Sequence, residues 1–264
     1  MALRAAPILE RILESRRAAI VELKANGVAA GLPQSVAAAP APRDFRQALR
    51  RTGGVALIAE CKERSPSGGL LQRPYDPVRL ARRYAANGAA AVSVLTEPEF
   101  FGGSLDHLQA VRAVVEVPVL CKDFIIDPIQ VLAARAVGAD AVLLIVGVLD
   151  DRLLGELQAL ARELSMQVVA EVHSEADLER ALRADAAIIG INNRDLVKMK
   201  TDKATTTRLR PMIPAGRTVI SESGIESHAD IDDLLELGVD AALVGESLLR
   251  APDLEAKLRE LTGR

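Results

Sequence analysis

The stretch "AVGADAVLLIV", residues 136–146, carries the fold in miniature. It begins as the end of a helix, breaks at Gly138, turns, and becomes an unbroken apolar run. Glycine enters the left-handed conformation at little cost and so ends a helix. A strand that is apolar on both faces belongs to a sheet covered on both sides. The same layout returns as "AANGAAAVSVL" (85–95) and "LELGVDAALVG" (235–245). Gly88 to Gly138 is 50 residues and Gly138 to Gly238 is 100. Two units in each 50 give 25 residues per unit, enough for a strand, a helix and their loops.

Working outward, eight apolar strand candidates follow: 55–60, 90–96, 117–122, 140–146, 167–171, 187–192, 218–222 and 241–245. Helical patterns lie between them, such as Ile129, Leu132, Ala133 and Ala136 at positions i, i+3, i+4 and i+7. Strands alternating with helices predict a parallel sheet covered by helices. Eight units in this length suit a closed (β/α)₈ TIM barrel. The rival is an open doubly wound sheet, but no G-x-G-x-x-G follows the first strand. Ahead of the barrel, residues 6–25 read as an amphipathic helix through Ile8, Ile12, Leu13, Ile20 and Leu23. A Pro- and Ala-rich connection is expected over 31–42 and a short helix near 43–52. The domain reading is one barrel domain over 1–264, with a helical extension at 1–52 and the barrel at 53–264.

Composition narrows the class. The 264 residues are 49% hydrophobic and 26% charged with a net charge of −3, which predicts a globular protein with a sizeable aliphatic core. Nothing basic enough for nucleic acid or a membrane surface is present, and aromatics at 2% supply no base-stacking platform. No segment has the length and apolarity of a membrane span, and charges interrupt the N-terminus where a signal peptide needs an apolar core. A cytoplasmic location is expected. Cys61 and Cys121 are isolated and read as reduced thiols. His107, His173 and His228 show no ligand spacing, so no metal is expected.

The strand ends carry the chemistry. In "VALIAECKERSPSGG" (55–69), alternation puts Glu60 and Lys62 on the same face as Ala56 and Ile58. The same arithmetic puts Lys122 with Leu120, Glu171 with Val169, Asn192 with Arg194, and Glu222 with Ile220. A single charge there reads simply as the point where a strand meets water. Five strands ending this way predict convergence at the C-terminal mouth, where barrel active sites lie. Opposite charges in contact there tune each other for proton transfer. Glycines in "SESGIESHAD" (221–230) and "LVGESLL" (243–249) follow strands 7 and 8. Each alone is ordinary turn chemistry, but together they sit where barrels commonly hold phosphate on backbone N–H groups.

With these residues assembled, the chain resembles the indole-3-glycerol phosphate synthase family over nearly its whole length. The resemblance rests on "ILERILESRRAAIVELK", "IAECKERSPSGG", "SVLTEPEFFGGSLDHL", "VPVLCKDFIID", "VVAEVHSEADLERAL", "GINNRDL", "ISESGI" and "LVGESLL", in that order. It implies conversion of 1-(2-carboxyphenylamino)-1-deoxyribulose 5-phosphate to indole-3-glycerol phosphate by ring closure, decarboxylation and dehydration, with no cofactor or metal. It implies catalytic roles for Glu60, Lys62, Lys122, Glu171, Asn192 and Ser223. It implies substrate contacts from Ser65, Phe101, Arg194, Glu222, Gly224, Leu243, Gly245 and Glu246. The implied partner is a small phosphorylated substrate, and the expected assembly is a monomer or a weak homo-oligomer. Gly68 stands where many members of the family have a basic residue, so the loop is expected to be more mobile and to supply one charge fewer. Two rivals remain in view. One is another phosphate-binding barrel such as phosphoribosylanthranilate isomerase, for which Cys61 would matter, although alternation turns it outward. The other is an inactive barrel serving as a scaffold.

Overall fold

The computed structural model describes residues 8–50, 54–195 and 199–263. The first two residues of the expected N-terminal helix, the 52/53 boundary and Leu196 of "GINNRDL" lie outside them. Eight parallel strands close into a barrel: β1 (Ala56–Cys61), β2 (Ala91–Leu95), β3 (Val119–Lys122), β4 (Ala141–Ile145), β5 (Gln167–Val172), β6 (Ile188–Asn192), β7 (Thr218–Glu222) and β8 (Ala241–Val244). β8 pairs with β1, with Ala56 opposite Ala241 and Ile58 opposite Leu243. The closed order excludes the open doubly wound sheet.

Thirteen α-helices accompany the strands among the described residues: α1 (Ile8–Ala25), α2 (Val28–Ala38), α3 (Phe45–Ala48), α4 (Pro77–Ala86), α5 (Pro98–Phe101), α6 (Leu105–Arg112), α7 (Pro128–Ala136), α8 (Asp151–Glu163), α9 (Glu175–Arg183), α10 (Ala204–Leu209), α11 (His228–Glu236), α12 (Glu246–Arg250) and α13 (Leu254–Thr262). None is long and apolar enough to cross a membrane. Asp76, Ser104, Asp127, Asp150, Ser174, Ser227 and Asp253 each cap a helix start by accepting a backbone N–H. Gly88, Gly138 and Gly238 follow the ends of α4, α7 and α11 with φ of 90°, 91° and 70°. The left-handed stop that defined the repeat is therefore present at all three. Ser165 and Asp185 hold the same conformation after α8 and α9, at φ 59° and 56°.

Alternation divides the core into two layers. Ala56, Ile58, Leu120, Leu143, Val169, Ile188 and Ile220 fill the barrel interior. Leu57, Ala59, Cys61, Val92, Val94, Leu144 and Ile189 face the helices. Cys61 thus points outward, and both cysteines are free and buried.

The N-terminal segment reaches both ends of the barrel. α1 lies at the C-terminal mouth, where Arg16 pairs with Asp123 at 3.1 Å and Lys24 with Asp127 at 2.5 Å. α2 runs beside α7, with Leu32 packed with Ile129 and Ala133. The expected loop at 31–42 is therefore wrong over most of its length, because α2 continues through Pro33 to Ala38. An interior proline costs about 3 kcal/mol. Alanine's helix propensity and the packing on α7 outweigh it. The short helix is only Phe45–Ala48, and it closes the opposite end, burying Phe45 and Leu49 in the barrel's inner layer. There Arg43 donates its backbone N–H to Asp140 (2.7 Å) and its side chain to the Val117 carbonyl (2.9 Å).

Candidate active site

Residues two apart on a strand share a face, so each inward strand end extends an interior row into the C-terminal mouth. The mouth is a cleft of about 730 Å³ lined by all fourteen residues anticipated from sequence, from Glu60 on β1 to Glu246 at the start of α12.

Its centre is a chain of charges. Lys122 extends from β3 across the barrel to Glu171 (2.8 Å) and Glu222 (2.5 Å). Beside them Lys62 donates to Glu60 at 2.6 Å. Two glycines make room for these carboxylates. A Cβ on Gly190 would lie 2.3 Å from Glu222 Oε1, and one on Gly245 would lie 2.4 Å from Glu60 Oε2.

Burial and charge compete at each group. Burial alone would lower the pKa of Lys122, but Glu171 and Glu222 outweigh it and hold the ammonium above its ordinary range. Burial would raise Glu171, yet Lys122 and the nearby His173 keep it below the ordinary carboxyl value. Glu222 goes the other way: burial, joined by the Glu171 charge and opposed by Lys122, pushes it up to about 7. Two carboxylates sharing one lysine therefore hold unequal proton affinities, the usual means of separating an acid from a base.

The side toward β2–β4 is apolar. Phe101 and Phe124 face each other with ring centroids 6.0 Å apart, above Leu95, Leu143 and Ile145. Phe101 is set by the local sequence "EPEFFGG". Glu97 accepts the backbone N–H groups of Glu99, Phe100 and Phe101, Pro98 starts α5, and Gly102 ends it at φ 69°. A Cβ on the next residue, Gly103, would lie 2.3 Å from the Leu95 carbonyl oxygen.

The side toward β6–β8 is polar and cationic. Asn192 Oδ1 accepts from the Ser223 hydroxyl and the Arg194 backbone N–H, both at 2.9 Å. Ser223 and Gly224 are both left-handed, at φ 67° and 81°. A non-glycine residue held there is strained, and such strain gathers at functional sites. Arg194 reaches Ser67 (2.7 Å) and Glu246 (3.5 Å), while Arg250 bonds both Glu246 (2.9 Å) and the Gly68 carbonyl (2.9 Å). The Gly68 N–H also donates to Ser65 Oγ at 2.9 Å. The loop expected to be mobile is thus tied to its own first residue, Ser65, and to Arg250 of α12. A Cβ on Gly68 would come within 2.8 Å of Ser65 Oγ, so a larger residue would disturb those ties.

The family model for indole-3-glycerol phosphate synthase matches residues 9–261. The chain belongs to the indole-3-glycerol phosphate synthase family. A synthase of that name from Roseiflexus sp. (strain RS-1) is 48% identical over 97% of this chain and 98% of its own length. The one from Dehalococcoides mccartyi (strain CBDB1) is 48% identical over 96% and 99%. Among solved structures, 3-keto-L-gulonate-6-phosphate decarboxylase from Vibrio cholerae superposes with a TM-score of 0.62 at 15% identity, covering 80% of this chain and 96% of that one. The 3-hexulose-6-phosphate synthase of Salmonella typhimurium gives 0.61 at 17%, covering 78% and 96%. These two likenesses concern the barrel fold alone.

Sequence reasoning missed several lining residues of this family member. Phe124 was within its reach, being two residues past Lys122 on the same face. Lys203, Arg250 and Lys257 enter from helices and a loop, where no strand register points to them. The Cys61 thiol, which the isomerase reading would need, is outside the cleft, and burial pushes its pKa up.

Proposed function

We propose that this chain is an indole-3-glycerol phosphate synthase, acting on 1-(2-carboxyphenylamino)-1-deoxyribulose 5-phosphate. The observation that carries the reading is one cleft holding an aromatic side, a central Lys–Glu chain and a cationic glycine-turn side, in a member of that family.

The carboxyphenyl ring lies against Phe101, on the apolar side that Phe101 and Phe124 form together. The phosphate sits opposite, on backbone N–H groups at Ser223, Gly224 and Gly245, with Lys62 and Arg194 supplying positive charge. The Glu246 side chain, already held by arginines, stays off the phosphate. Anchoring both ends brings the carboxylate-bearing ring carbon to the ketone, a gain in proximity.

Lys122 is the general acid. It stays protonated beside its two glutamates and donates to the ketone oxygen as the ring carbon attacks. The new carbon–carbon bond leaves a hydroxyl on the former ketone carbon. Loss of CO₂ returns the bonding electrons to the ring. A proton donor, Lys62 in our assignment, converts the hydroxyl to departing water. Glu171, ionised and central, takes the proton whose removal completes the indole, and Glu60 reloads Lys62. Asn192 and Ser223 hold each other and orient the polyol.

The reaction needs no added metal or cofactor in this scheme. We further propose a cytoplasmic enzyme, monomeric or weakly homo-oligomeric, with no nucleic-acid or membrane partner, whose N-terminal segment and barrel form one folding unit. The test is direct: purified protein given the substrate without added metal develops indole fluorescence. No signal at micromolar enzyme would defeat the proposal and favour a scaffold.

A further inference from the structure

Among the described residues, His173 is a partly buried titratable group with a buried Nε2, and the scheme above has no use for it. It lies two residues past Glu171, so alternation turns it to the same side, yet it does not line the cleft. Its Nε2 is 3.4 Å from Glu171 Oε1. Both atoms are buried, and neither has a hydrogen-bond partner. The other carboxylate oxygen, Oε2, is taken by Lys122. Buried polar atoms are rarely left unpaired, because each costs its lost hydration. Two such atoms face each other here, and one proton between them satisfies both.

We propose that His173 is a positioning residue for Glu171, carrying its proton on Nε2 and donating it to Glu171 Oε1. With Lys122 on Oε2, the carboxylate is then held at both oxygens and kept ionised for its turn as base. Catalytic hydrogen bonds are often long before substrate binds and tighten afterwards. The ring is placed by its own backbone, since the His173 N–H donates to Asp177 Oδ2 at 3.2 Å, at the capped start of α9. The charged groups around the pair are Lys122 from β3, Glu222 from β7 through that lysine, and Asp177 from α9.

The inference rests on Glu171 acting in the proposed reaction, so the test has an arm that does not depend on turnover. In the unmodified protein with ¹⁵N-labelled imidazoles, His173 should be the Nε2–H tautomer, and its Nε2 signal should move on Glu171→Gln. A His173 signal with the proton on Nδ1, indifferent to Glu171→Gln, would overturn the inference. In the kinetic arm, His173→Leu should lower kcat about ten- to a hundredfold, the rate equivalent of one hydrogen bond to a charged group. KM should stay within about twofold, since a group acting on the base changes the chemical step. Without the donor Glu171 binds its proton more tightly, so the acidic limb of the kcat profile should move to higher pH. His173→Gln, which keeps an amide donor near Nε2, should recover most of the loss. Wild-type turnover with kcat and acidic limb unchanged in His173→Leu would also overturn it. Absent wild-type turnover would instead count against the proposed function.

Discussion

Lys122 bears the heaviest demand of any side chain here, because it bonds two buried carboxylates and is asked to give up a proton to substrate. Lys122→Ala should lower kcat by about 10²–10⁴-fold, the usual yield of a general acid. The fold should survive, because Glu222 already favours its proton and neutralises when the lysine is gone. Circular dichroism beside the fluorescence assay checks both, and near-normal turnover would remove Lys122 from the scheme. Glu222 itself gives a pH prediction. Its folded pKa of about 7 lies above the ordinary carboxyl value of 4.5, so between those values the folded state binds more protons than the unfolded one. Its contribution to stability is then fully present below about pH 4.5 and is lost as pH rises through about 7. Glu222→Gln, a neutral mimic, should gain stability relative to wild type across that window. Urea midpoints at pH 5 and pH 8 that differ equally between the two proteins would contradict this.

At the scale of elements, β6 and the turn after β8 are shaped by what crosses them. Gly190 lies in mid-strand, where glycine is otherwise a weak choice, and Gly245 opens α12. The Glu222 and Glu60 carboxylates occupy the space a methyl group would need. Gly190→Ala should destabilise the protein by about 1–3 kcal/mol, the range for overpacking. It should also cost activity, because Glu222 must leave Lys122. A normal kcat together with an unchanged melting temperature would show that the strand yields instead. The helices show where local rules suffice and where they fail. The glycine stops of α4, α7 and α11 are legible in the sequence because each is decided within one turn. Ser165 and Asp185 take the same left-handed stop without the glycine that announces it. That explains why only three of the repeats were visible in the sequence. Over α2 the sequence points to a loop because Pro33 argues against helix locally, and the packing that overrules it comes from α7, about 100 residues away.

For the whole molecule, the N-terminal segment is tied to both mouths of the barrel, by Arg16 and Lys24 at one end and Arg43 and Phe45 at the other. Unfolding should therefore be one cooperative transition, with fluorescence-labelled α1 and the barrel's far-ultraviolet signal melting together. An early separate release of α1 would show two units. What the sequence by itself determined is the part governed by short-range chemistry. The period of two set which strand residues face inward, left-handed glycines set the repeat, and together they implied a closed barrel with its charges gathered at one mouth. Only the tertiary structure decided which partner each charge meets. Lys122 joins Glu171, 49 residues away, and Glu222, 100 residues away. The split in proton affinity between those carboxylates, and the approach of His173 to one of them, depend on burial and Coulomb interaction through space. No local pattern in the chain encodes those distances.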